Sequence, residues 1–192
     1  IKSSTASDVY KRQDTAQKAD MFAKSVEVLT AHQWHRLSNN HWRQTNRERN
    51  IYNELGKSAC DCLAFGCGAG GRLKGYGFMM NRSLADWSAG VDAGLKPVMV
   101  MTAPGPNWAL LRTVSSDMES GAINLPCISE RFGVDVDALT REVTSQWEEA
   151  GLVTRTGDWL VQTVAGQFWH VTLAQLLVDL IGKALRKEAL AA

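Results

Sequence analysis

Residues 60–71 read CDCLAFGCGAGG, a short apolar run that ends in a cluster of glycines. An apolar run of this length closed by turn residues predicts a buried strand, here over 60–65. The glycine-rich stretch 66–71 (GCGAGG) is then the loop after it. Glycine carries no Cβ, so such a loop lets a ligand's polar atoms reach bare backbone. Tight packing of the loop explains the same residues, and the pattern leaves both open. Gly66-x-Gly68 does not extend into a dinucleotide fingerprint, because RLKGYG after Gly71 holds another turn instead of a helix. A P-loop is excluded, since no Gly-Lys-Ser/Thr follows.

Outward from this stretch, 76–80 predicts a second short strand and 83–93 a helix. Ser83 is the natural N-cap, with Asp86 where a capping-box acid stands. Residues 97–101 read as extended, and Pro104-Gly105-Pro106 as a turn or linker. Upstream, Ala19, Phe22, Ala23, Val26 and Leu29 recur at helical spacing within 14–31. The polar, aromatic stretch 32–53 has no clear period and reads as an extended segment or loop.

After the linker the character changes. Residues 107–119 carry Leu110, Leu111, Val114 and Met118 on one helical face, and 125–132 form a short helix closed by Gly133. A third helix over 137–150 has Leu139, Val143, Trp147 and Ala150 as its expected buried stripe, with Gly151 just past its end. Residues 152–163 predict a hairpin turning at Thr156-Gly157-Asp158, and 165–190 a last helix. Three helices, a hairpin and a helix is winged-helix order. No internal repeat is present.

Composition bounds the partners. With 45% hydrophobic and 21% charged residues among 192, the chain is of ordinary globular type. No run approaches the ~20 apolar residues of a membrane span. A formal net charge of +1 offers no argument for a polyanionic partner. The four cysteines (Cys60, Cys62, Cys67, Cys127) make a poor disulfide framework, and no signal peptide is seen, so a cytoplasmic, reducing location is expected. Residues 1–13 (IKSSTASDVYKRQ) begin on Ile1 and have no period; 3–13 resemble translated cloning-adaptor sequence, a polar tail being the alternative. Under the adaptor reading the native protein continues upstream.

Few residues here carry chemistry by pattern. Cys60-x-Cys62-x4-Cys67 matches no usual zinc or iron–sulfur spacing, and core packing is the favoured role of these thiols. His32, His35 and His41 lie with Trp34 and Trp42 but without a helical metal motif. They could contact a large flat or anionic ligand beside Arg43, Arg47 and Arg49, against a solvated loop as the plainer reading. No G-x-S-x-G marks a nucleophilic serine. A winged helix invites a DNA-binding reading, yet the helix over 137–150 sets Asp137, Glu142, Glu148 and Glu149 against Arg141, and the wing offers only Arg155. DNA would be repelled from that face, so an interaction or lid domain is expected and no nucleic-acid partner.

One resemblance organises these readings. Asp61-Cys-Leu-Ala-Phe-Gly-Cys-Gly-Ala-Gly-Gly71, with Gly75-Tyr76 and Asn81, resembles the oxygen-independent coproporphyrinogen III oxidase family. Trp147-Glu-Glu-Ala-Gly-Leu-Val153 and the hairpin beyond resemble that family's C-terminal winged-helix domain. Within the family, Phe65-Gly-x-Gly-Ala-Gly-Gly71 with Gly-Tyr-x-Phe-Met looks most like the haem-utilisation branch, which resembles radical-SAM methyltransferases that open haem anaerobically. Three departures separate it from the oxidase proper: Ala64 for a glycine, Gly71 for a Ser/His position, and Arg49 for the histidine of an H-N-x-x-Y-like segment.

The resemblance implies an α/β fold: the C-terminal piece of a partial radical-SAM (β/α)6 barrel over 14–103, followed by a mainly helical winged-helix-like domain over 107–190. It implies S-adenosylmethionine and a [4Fe–4S] cluster in the parent enzyme, with a 5′-deoxyadenosyl radical made from them. The cluster motif C-x3-C-x2-C does not occur in the chain. No catalytic or metal-ligating residue is therefore assigned here, and the chain alone is expected to be inactive. Residues 63–71 would be the last barrel strand and its loop, with Gly68, Ala69 and Gly70 touching the adenosyl moiety. Arg47, Arg49, Asn50 and Tyr52 would face the substrate, a guanidinium pairing with a porphyrin propionate. The implied partners are haem or another tetrapyrrole and an electron donor such as a flavodoxin-like protein. Biosynthetic oxidation of coproporphyrinogen III, or haem binding and trafficking without catalysis, are the alternatives.

Overall fold

The computed structural model describes residues 14–57 and 60–191; the adaptor-like stretch 1–13 lies outside them. In chain order the elements are α1 (Thr15–Ala31), β1 (His35–Ser38), β2 (His41–Arg43), α2 (Ile51–Lys57), β3 (Gly70–Leu73), β4 (Tyr76–Met80), α3 (Leu84–Asp92) and β5 (Val98–Thr102). They continue as α4 (Trp108–Ser120), β6 (Ala122–Asn124), α5 (Leu125–Phe132), α6 (Val136–Glu149), β7 (Val153–Thr156), β8 (Trp159–Gln162), α7 (Val164–Phe168) and α8 (His170–Ala191). The class is α/β, with three small sheets, and every strand pair among the described residues is antiparallel.

Helix starts follow local chemistry. Asp14, Ser83, Asn124, Asp135 and Thr163 each accept a hydrogen bond from a first-turn backbone N–H, which satisfies a donor the helix itself cannot. Ser83 caps α3 through the Asp86 N–H, as its sequence position predicts. Gly121 and Gly133 end α4 and α5 in the left-handed region (φ 98° and 66°), where a Cβ would be strained.

The hydrophobic core lies almost wholly in the winged-helix unit. Leu110, Val114 and Met118 of α4 meet Ile123, Leu125, Trp147, Leu160, Leu177 and Ile181, all nearly inaccessible to solvent. The sheet order β6–β8–β7 closes the wing over this core. On α6 the buried face is Val136, Thr140, Thr144 and Trp147, a quarter-turn from the expected stripe; Leu139 and Val143 are half-buried and Ala150 is exposed. Thr140 can take a core position because its hydroxyl donates to the Val136 carbonyl at 2.7 Å. The expected last helix is two, broken at Trp169 between α7 and α8.

The N-terminal elements attach to this unit. Phe22 of α1 packs on Phe168 of α7, with ring centroids 5.9 Å apart. Asn39, at the β1–β2 turn, is 1% exposed. Its Nδ2 donates to the Met118 carbonyl (3.0 Å) and to Gln162 Oε1 (3.1 Å), and its N–H donates to the Glu119 carbonyl (3.1 Å). Gln162 Nε2 donates to the same Met118 carbonyl at 2.8 Å, so the last turn of α4 is closed by two amides from distant strands.

The stretch 60–65 departs from expectation. It is not a strand, and it joins the sheet β3–β4–β5 only through the reciprocal bonds of Cys62 with Arg72 (2.8 and 2.7 Å). Leu63 and Phe65 are 48% and 76% exposed, and the cysteines are exposed or half-buried instead of core. A buried strand needs neighbours along both edges and cover on both faces; here one residue pair is made. Pairing shifts forward instead: β3 begins at Gly70, so the end of the expected loop is itself strand, with Gly70 opposite Met79 and Leu73 opposite Tyr76. No helix of the described residues is long and apolar enough to cross a membrane.

Candidate functional site

The glycine turn is held from below by Asn81. The Asn81 carbonyl accepts from the Gly68 N–H (2.8 Å) and from Cys67 Sγ (3.3 Å), while its N–H donates to the Pro97 carbonyl and its Oδ1 accepts from the Ser83 N–H. One asparagine thus fixes the turn, β5 and the start of α3 together. The Ala69 N–H donates to the Gly66 carbonyl at 3.1 Å, and the Ala69 carbonyl accepts from the Met80 N–H. Both turn amides are therefore spent inside the chain.

A cavity of about 760 Å³ opens over β3 and β4. Its floor is Gly70, Gly71, Gly77 and Phe78; α2 contributes Tyr52, Asn53 and Gly56, and α4 contributes Arg112 and Glu119. Gly77 and Gly56 have open space where a Cβ would stand, so their bareness enlarges the cavity. Gly71 is different: a Cβ there would lie 2.5 Å from the Phe78 ring and 2.7 Å from the Cys62 carbonyl. Close internal packing, not ligand access, demands that glycine.

The rim is cationic. Arg72, Arg82 and Arg112 line the cavity, with Glu119 as the carboxylate among its lining residues. Arg112 donates through Nη2 to the Gly56 carbonyl, tying α4 to the last turn of α2, while its Nε is buried without a hydrogen-bond partner. Burial, and then the nearby positive charge of Arg72, lower the Arg112 pKa, with Glu119 opposing them. The Arg72 guanidinium lies 5.7 Å from the Trp108 ring centroid, within cation–π range.

The residues singled out in the sequence are only partly brought together. Tyr52 and Gly70 line the large cavity. Arg49 and Asn50 line a neighbouring cavity of about 390 Å³, which shares Asn53 with the first. Arg47 is exposed and lines neither, and Gly68 and Ala69 lie beside the large cavity in sequence without lining it. Arg72, Arg82 and Arg112 were not singled out. For Arg112 one signal existed: a charged side chain between Leu111 and Val114, flanking the buried face of its helix.

A cavity this size suits an organic cofactor or small substrate, and its bare glycine floor and guanidinium rim fit a flat ligand with acidic arms. A [4Fe–4S] cluster does not fit these residues: among the described residues no three His, Cys, Asp or Glu side chains are placed to hold a metal.

In fold the chain matches part of coproporphyrinogen III oxidase from Escherichia coli, described as a radical SAM enzyme, with a TM-score of 0.66. That match covers 86% of this chain and 42% of the oxidase chain at 14% identity, a likeness of fold alone. In sequence, the chain is a relative of anaerobilin synthase from Escherichia coli O157:H7, 35% identical over 167 residues. Those residues are 86% of this chain, which spans 36% of the relative's length. No family model matches. The resemblance carried by the glycine turn and the winged helix is borne out in both fold and sequence.

Proposed function

We propose that the chain supplies the substrate-side part of a radical-SAM enzyme that opens haem anaerobically to release its iron. The observation that carries this reading is the 760 Å³ cavity, where a glycine floor and Tyr52 meet a guanidinium rim. The identity with a protein named for anaerobilin synthesis supports haem over coproporphyrinogen. Residues 14–103 supply the cavity floor, and the winged-helix unit 107–190 contributes its α4 wall. Gly68, Ala69 and Gly70 are the proposed neighbours of the adenosyl moiety, with Gly70 nearest because the amides of the other two are already bonded. Tyr52, with Arg49, Asn50 and Arg47 beyond it, is the proposed substrate side.

When bound, S-adenosylmethionine at a reduced [4Fe–4S] cluster supplies a carbon radical; the cluster would be held by residues outside this chain. The work of the present residues is to seat the macrocycle and exclude water. A flavodoxin-like electron donor and a cytoplasmic location belong to the same proposal. The winged helix acts as a lid instead of a DNA reader: Arg141 is bonded to Asp137 (2.9 Å) and Arg155 to Glu148 (3.3 Å), so both cations are engaged by carboxylates.

The test uses the intact enzyme, reconstituted with its cluster and given S-adenosylmethionine, a reductant and haem without oxygen. Loss of the Soret band is expected. Carbon dioxide release from coproporphyrinogen III, with haem untouched, would overturn haem opening in favour of the biosynthetic oxidase. Haem binding by the enzyme with neither reaction would establish a trafficking module.

A further inference from the structure

Three guanidiniums gather at the rim of the large cavity. Arg72 and Arg112 come from elements 40 residues apart in sequence, yet both line one cavity, joined by Arg82. Crowding like charges at a half-buried surface is unfavourable unless an anion joins them. Arg112 Nε is a donor shielded from water and left without a hydrogen-bond acceptor. Glu119 is the carboxylate among the lining residues, and it couples to Arg112. An unmet donor beside surplus positive charge on a concave, glycine-floored surface calls for an acidic ligand arm.

Resting on the tetrapyrrole reading above, we infer that Arg72 and Arg112 form a clamp for a carboxylate side arm of the macrocycle, with Arg82 as a third cation at the rim. Arg72 is braced by the Trp108 ring and Arg112 by the Gly56 carbonyl, so both guanidiniums are pre-set and little side-chain freedom is lost on binding. The clamp thereby selects porphyrins with free carboxylates over esterified ones and sets which edge of the ring lies against α4.

Protoporphyrin IX and its dimethyl ester are titrated into the 192-residue chain by fluorescence, alongside S-adenosylhomocysteine by calorimetry. The metal-free porphyrin is chosen because Cys60 and Cys62 line the same cavity and could ligate iron. The diacid is expected to bind roughly ten- to a hundredfold more tightly than the ester, the range of a charge-assisted pair. Arg72→Gln and Arg112→Gln should each erase most of that difference and leave the ester unchanged; Arg155→Gln, on the wing, should alter neither. If Arg112→Gln unfolds by circular dichroism, Arg72→Gln and the ester comparison decide alone. Equal binding of diacid and ester overturns the clamp while the tetrapyrrole reading stands. Binding of neither porphyrin overturns both. Weakened S-adenosylhomocysteine binding in Arg72→Gln, with the diacid unaffected, overturns the porphyrin assignment and gives the clamp to the amino-acid end of the nucleoside.

Discussion

Replacing Asn39 by alanine tests whether a buried amide fastens the N-terminal elements to the winged helix. Its Nδ2 donates to the Met118 carbonyl and to Gln162 Oε1 at 3.0 and 3.1 Å, with the side chain almost fully enclosed. In Asn39→Ala the Met118 carbonyl keeps its bond from Gln162 Nε2, so that loss is small. Gln162 Oε1 is left buried without a donor, at about 1–3 kcal/mol, and the vacated volume adds about 1 kcal/mol. Asn39 Oδ1 has no partner in the native fold, so removing it returns about 1 kcal/mol. The net expectation is about 1–3 kcal/mol of destabilisation, or roughly 2–12 °C in Tm for a chain of this size. Urea titration followed by far-ultraviolet circular dichroism measures it, with Gln162→Leu and the double variant completing a cycle. A loss below about 0.5 kcal/mol, or additive single effects, would refute the argument that these amides act as a pair.

Gly71→Ala places a methyl against the Cys62 carbonyl, which cannot swing away as the Phe78 ring can. The Cys62–Arg72 bonds should open, and hydrogen exchange at those two amides should quicken at least tenfold. Gly166→Ala drives a methyl into the Leu152 carbonyl at the base of the wing; a loss of about 3 kcal/mol or more is expected by thermal denaturation. Burial holds the half-buried Asp117 carboxyl above the ordinary carboxylate range, against a smaller opposite pull from Arg131. A raised folded pKa contributes stability at acid pH that is lost as pH rises through it. Asp117→Asn should therefore be the more stable protein at neutral pH, with the gap closing as pH falls into the carboxylate range, as urea midpoints against pH would record.

Sequence reading succeeded where a local rule decides the backbone. Ser83, Gly133 and Gly151 mark helix ends through capping chemistry that needs no distant partner. It failed where pairing is nonlocal. The run 60–65 has a strand's composition, but a strand is defined by its neighbours, and here one residue finds one. β3 escaped because two of its four residues are glycine, which leaves no side-chain alternation to read, and β6, at three residues, is too short to show a period. Of the residues singled out through the family motif, Tyr52 and Gly70 line the large cavity. Arg72 and Arg112 gave no such signal, because periodicity along a strand or helix shows which face is buried and not what stands across the cavity from it.

The Asn39–Gln162 bond joins positions 123 residues apart. At ribosomal speeds of about 5–20 residues per second, the β1–β2 turn waits roughly 6–25 s between its own synthesis and that of its acceptor strand. The winged-helix core needs only contacts among residues 108–185 and can close as soon as they emerge. The β1–β2 turn thus waits on β8 before its side-chain contact is complete. Nascent chains arrested before Gln162 should leave Asn39 open to solvent, and its burial would time the completion of the fold.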